Sequence, residues 1–164
     1  MVANSKILDN LNRLKGIYSD NAPKHDYIYF YCKDYEDFCR DHPAVHARAW
    51  SDKGFFRWWD NHFVQFCPSS YNSDPLDKVL SRFEGKTHAQ KEMENFKDSR
   101  DSDMLHESCH WSPLVGQPQI VDHAQEAEGS WKLARDQGTG KAYVNAASYA
   151  LDATAIYVHQ HFKG

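Results

Sequence analysis

The sequence predicts an α+β fold built as one domain over residues 1–164, because the strand-like runs all lie before Pro68 and helical periodicities dominate the chain after it. No repeat and no linker divides the chain, and 164 residues suit a single domain with a real core.

From Asn4 onward Ile7, Leu8, Leu11 and Leu14 fall on one helical face, and Gly16 ends the pattern. The aromatic run Tyr27-Ile28-Tyr29-Phe30-Tyr31-Cys32 reads as a buried strand. Cys32 to Cys39 reads as a polar loop carrying Asp34 and Asp37. Ala47-Arg48-Ala49-Trp50 fits a short strand, and His62-Phe63-Val64-Gln65-Phe66-Cys67 a clearer one, which Pro68 stops. Asp74-Pro75 supplies an N-cap and a proline at the first helical position, leading a helix through Leu76, Val79, Leu80 and Phe83 that Gly85 closes. Ser99 to Trp111 forms the next helix, broken by Pro113 and Gly116. A further helix is expected from about Val121 to Asp136. Gly138 and Gly140 then make a turn before a long final helix, Lys141 to His161.

Composition narrows the function classes. A formal charge of −4 and a pI near 6.2, with no long block of like charge, give no reason to expect nucleic acid. No apolar run approaches the ~20 residues of a membrane span. Met1 to Gly16 is amphipathic and polar, unlike a signal peptide, which fits either a cytosolic protein or a mature fragment bearing a starting Met. Cys32, Cys39, Cys67 and Cys109 lack the paired C-x-x-C spacing of a structural zinc site. In a Trp- and Tyr-rich chain four cysteines fit two disulfides in an oxidising compartment, with cytosolic free thiols as the alternative.

His106-Glu107-Ser108-Cys109-His110 is the motif that carries chemistry. On a helix, positions i and i+4 lie one above the other, so both imidazoles can face one ion while Glu107 projects beside it. A carboxylate there can take a proton from the attacking water, the minimal apparatus of a zinc hydrolase. A third ligand must follow the helix. Asp122 ranks first and His123 second by spacing, ahead of Glu126 and Glu128. The longer pattern H-E-x-x-H-x-x-G-x-x-H fails, since Pro113 replaces its Gly and Gly116 its last His.

Over about Tyr27 to Tyr157 the sequence resembles the aspzincins, the deuterolysin-type secreted zinc endopeptidases. Cys32-Lys33-Asp34-Tyr35-Glu36-Asp37-Phe38-Cys39 is similar to the family's two cysteines flanking an aromatic, acidic loop. Gln65-Phe66-Cys67-Pro68 resembles its strand-ending Cys, and His106 to His110 its zinc motif. Asn145-Ala146-Ala147-Ser148-Tyr149-Ala150-Leu151, with Tyr157 following, resembles its late helix. The resemblance implies a zincin-like fold, a zinc held by His106, His110 and Asp122, and Glu107 as general base. It implies a secreted, monomeric protein acting on protein or peptide substrates, and it pairs Cys39 with Cys67, leaving Cys32 with Cys109. Asp122 takes the place of the Asp in the family's G-T-x-D-x-x-Y-G, but Gln125 stands where a Tyr supplies the oxyanion donor. Removing such a donor costs ~10²–10³ in rate unless another group replaces it, and Gln125, His123 and Tyr149 are the residues considered for that role.

The remaining features have simpler readings. Tyr149 and Tyr157, eight apart on the last helix, read first as core packing, and His159 and His161, two apart, as solvated tail residues. Phe55, Phe56, Trp58 and Trp59 read as core and rim, with a substrate wall as the alternative. Asp98, Asp101 and Asp103 suit the start of the active-site helix; an acidic subsite for lysine is what part of the family would add. The runner-up function is a zinc-binding, weakly active relative that acts as a scavenger or secreted effector.

Overall fold

Tyr27–Tyr31, rich in aromatic residues that favour extended backbone, forms the first strand, β1. In the computed structural model, which describes residues 9–13, 27–53, 60–111 and 119–163, β1 runs parallel to β3 (Asp60–Phe66), and β2 (Ala47–Lys53) pairs antiparallel with the other side of β3. The order is β1-β3-β2, so β2 is an edge strand. The register puts Ile28, Ala49 and Val64 on one face and Tyr29, Trp50 and Phe63 on the other. On the first face Val64 joins Cys109, Trp111, Ile120, Ala146 and Tyr149 in a buried cluster. On the second, Phe63 stacks between Tyr29 and Trp50 at centroid distances of 5.2 and 5.1 Å. The aromatic run expected to be buried is only partly so: Tyr29 and Phe30 are 44% and 51% exposed, because β1 is the other edge of the sheet.

The segment expected as a polar loop instead coils into a 3-10 turn, Tyr35–Asp37, and a short helix α1, Phe38–Asp41. The Asp34 carboxylate accepts from the backbone N–H groups of Cys39 and Arg40, at 2.8 and 3.0 Å, which satisfies donors that a helix start leaves open. Pro68 both stops β3 and opens a short helix, α2 (Pro68–Asn72). Helix α3 (Leu76–Ser81) is capped differently from expectation: the Leu76 N–H donates to Asp101 Oδ2 at 2.7 Å, while Asp74 pairs with Lys78 and Arg82. Helix α4 (Arg100–Ser108) bears the metal motif.

The last two expected helices are both shortened. In place of Val121–Asp136 a helix α5 runs over Ala127–Gln137, and the long final helix divides into α6 (Thr139–Ala142) and α7 (Ala146–Lys163). One bridge explains both corrections. The Val121 N–H donates to Val144 O (2.9 Å) and the Ala146 N–H to Val121 O (3.1 Å), withdrawing both segments from helical pairing. Leu76, Val79, Leu80, Phe96 and Val158 form a second buried cluster joining α3 to α7. Tyr157, expected in the core, is 46% exposed with its hydroxyl on Asp77 Oδ1. His159 and His161 are exposed.

Cys39 and Cys67 form a disulfide that ties α1 to the end of β3. The expected Cys32–Cys109 bridge does not form. Cys32 is exposed past β1, whereas Cys109 is fully buried against Val64 and Trp111. Of the N-terminal helix, residues 9–13 are helical and Leu11 packs on the first cluster. Ile7, Leu8, Leu14, Gly16, Pro113, Gly116 and the Phe55–Trp59 aromatics lie outside the described residues.

Candidate metal centre

Helix α4 starts where the Ser99 hydroxyl accepts from the Ser102 N–H at 3.2 Å, with Asp101 and Asp103 in the first turn where the dipole favours them. It packs on α7 and on β2, so the motif faces a cleft along the sheet edge. Its i, i+4 spacing brings the rings of His106 and His110 to a centroid separation of 5.2 Å. Asp122 reaches them from the loop before α5. Its Oδ1 lies 3.0 Å from His106 Nε2 and its Oδ2 3.4 Å from His110 Nε2. One ligand atom from each residue lies within 4.8 Å of the others, so this group can hold a metal ion. Ligands ~2.0–2.1 Å from a tetrahedral zinc stand roughly 3.3 Å apart, and the two histidine–aspartate separations match that spacing.

Neighbouring groups orient the ligands. His110 Nδ1 lies 3.2 Å from Ile120 O; with Nδ1–H donating to that carbonyl, Nε2 carries the free lone pair that a metal needs. The Asp122 loop is held by Asn145, which is fully buried between α6 and α7. Asn145 Oδ1 accepts from the N–H groups of His123 and Ala124, both at 2.9 Å. Its Nδ2 donates to Ser130 Oγ at 3.3 Å and to Ser148 Oγ at 3.0 Å.

Burial opposes the charge on Asp122, but hydrogen bonds from His106 and His110 and their positive charge outweigh it, holding the carboxyl well below the usual range. For His110, burial disfavours the cation, yet the Asp122 contact and the charge of Glu107 raise its pKa. Glu107 is 8% exposed, and burial pushes its pKa up against the opposing pull of His106 and His110. A carboxylate so raised is a better proton acceptor than an exposed one. Behind it the Cys109 thiol is pushed up to about 12 by burial and by the charges of Glu107 and Asp122. It stays a protonated, apolar filler and does not join the ligands.

The structure thus brings together His106, His110 and Asp122, and Glu107 and Gln125 line both of the cavities that His106 borders. His123 and Tyr149 line neither cavity. His123 is exposed and contributes its backbone N–H to Asn145. Tyr149 is 2% exposed; its hydroxyl donates to Tyr143 O (2.9 Å) and accepts from Asn10 Nδ2 (3.0 Å), so it turns into the core. Asn145 was legible only as part of a similar stretch of sequence; its clamp depends on a contact across more than twenty residues. Compared with family models, curated proteins and solved structures, the chain matches none.

Proposed function

We propose that this chain is a zinc-dependent endopeptidase of the deuterolysin type that works outside the cell. One observation carries the reading: two helical imidazoles and a loop carboxylate converge, and a buried glutamate sits between the two histidines in the same turn of helix. Two nitrogens and one carboxylate oxygen form a borderline donor set that suits zinc and leaves room for a further ligand. When bound, zinc acidifies a water molecule and polarises the scissile carbonyl.

The chain's own groups do the rest. Glu107 accepts the water proton and later passes it to the leaving nitrogen, which its raised pKa favours. Among the described residues edge strand β2 pairs only with β3, and its residues Ala47 to Ser51 line one cavity. An extended peptide can therefore add to that edge, held by main-chain hydrogen bonds with its scissile bond over the metal. A disulfide between Cys39 and Cys67 is compatible with an extracellular setting, and among the described residues no helix is long and apolar enough to cross a membrane.

Gln125 at the expected tyrosine position favours a second reading, a zinc-binding protein with little proteolysis. Elemental analysis together with hydrolysis of an unfolded protein, with and without chelator, separates the two. One zinc and chelator-sensitive cleavage support the peptidase; one zinc without cleavage supports the second reading. Absence of zinc refutes both.

A further inference from the structure

A peptidase site needs a donor for the carbonyl oxygen as it gains charge, besides whatever the metal supplies. Tyr149 faces the core, and among the described residues no side-chain hydrogen bond fixes Gln125. His46 is held in place. It immediately precedes β2, its backbone carbonyl accepts the Cys67 N–H at 2.8 Å, and its Nδ1 lies 3.0 Å from Asp103 Oδ2. Asp103 stands three residues before His106 and four before Glu107, so it projects from the same face of α4 one turn earlier. Its side chain is 19% exposed and that of His46 35%, which leaves the imidazole reachable from the cleft. His46, Asp103, His106, Glu107 and Gln125 line one cavity of about 350 Å³.

We propose that His46 is a catalytic residue that donates a hydrogen bond from Nε2 to the carbonyl oxygen, with Asp103 as its positioning residue. This rests on the zinc-peptidase reading. With Nδ1 held 3.0 Å from Asp103 Oδ2, the ring is fixed so that Nε2–H is the donor offered to the developing negative charge. The water oxygen bonds to the carbonyl carbon, the C=O π pair moves onto oxygen, and Glu107 takes one water proton. As the C–N bond breaks, that proton goes to nitrogen, the O–H left on carbon becomes part of the carboxylic acid, and His46 keeps its proton. A preorganised donor answers the loss of the phenol at position 125 better than an unanchored amide does.

The test uses the full chain loaded with zinc, a quenched-fluorescence peptide substrate, and a phosphonate peptide that mimics the tetrahedral intermediate. His46→Ala should keep one zinc and a KM within a few-fold, while kcat and phosphonate affinity both fall by ~10²–10³-fold. Asp103→Asn should lose ~10–100-fold, and combining it with His46→Ala should add little further loss. If His46→Ala fails to fold, His46→Phe, which keeps a ring without a donor, is read in the same way. Unchanged kcat and phosphonate affinity, or a change confined to KM, would overturn the role of His46 and leave the peptidase reading standing. A wild type without zinc or without chelator-sensitive hydrolysis would overturn the peptidase reading itself, and this role with it.

Discussion

Replacing Asn145 with alanine removes a buried side chain that holds the Asp122 loop against the last helix. Its Oδ1 accepts two backbone N–H groups, those of His123 and Ala124, each at 2.9 Å. A buried donor left without a partner costs about 1–3 kcal/mol, so two such groups set a ceiling of about 6 kcal/mol. His123 is exposed, which lets water reach the freed amides and brings the cost to about 2–3 kcal/mol. That energy is what keeps Asp122 facing the two histidines. Lost as preorganisation, it raises the zinc Kd by roughly 30–100-fold at 1.4 kcal/mol per decade. Competition with a chromophoric chelator at fixed pH reads this directly. Ser148→Ala, which removes only one contact to Nδ2, should shift Kd far less. Asn145→Asp keeps both acceptor contacts and should recover most of the affinity. A folded Asn145→Ala protein that binds zinc within threefold of wild type would refute the clamp.

Glu107→Gln should bind zinc as wild type does and lose measurable hydrolysis, since an amide fills the same place without accepting the proton; wild-type turnover in that variant would remove the base assignment. Alkylation followed by mass measurement should find two reactive thiols after unfolding without reductant and four with it. Opening the Cys39–Cys67 bridge, whose ends are 28 residues apart, should cost about 3–4 kcal/mol by loop entropy and lower Tm by roughly 10 °C. In the metal-free protein the lowered carboxyl of Asp122 stabilises the fold above its unfolded pKa of about 3.9, and that contribution fades as pH falls through its folded value. The raised pKa of His110 stabilises below about 6.5 and is lost as pH rises through its folded value, so urea midpoints of the apo-protein should be highest between these limits. Asp122→Asn should flatten the acid side, and an unchanged acid limb would contradict the pairing.

What the sequence made legible was local. The i, i+4 spacing of His106 and His110 needs only helix geometry, and Asp122 needs only a short return of the chain. Strand β3 and helix α3 were readable from alternation and periodicity over six or seven residues. Helix ends around Val121 and Asn145 were not, because the bridge between Val121, Val144 and Ala146 overrides local helical preference. The partnership of His46 with Asp103 spans 57 positions and leaves no periodic trace. Cys109 misled for a related reason: an even count of cysteines favours two bridges, while the packing of α4 against Val64 makes its thiol a core atom.

The sheet order has a consequence for how the chain matures. Both β1 and β2 pair with β3 and not with each other, so among the described residues neither has a strand partner until β3 has been synthesised. The same delay governs the thiols. Cys39 waits for Cys67, which follows directly on β3, while the unpaired Cys32 stands only seven positions away and is available from the start. An oxidant that acts on the nascent chain before β3 emerges therefore meets Cys32 and Cys39 first, and a bridge between them must be reshuffled by thiol–disulfide exchange before the native pair can close. The yield of native protein is then set by the timing of oxidation relative to elongation, and a disulfide isomerase, more than an oxidase, is the helper this topology calls for.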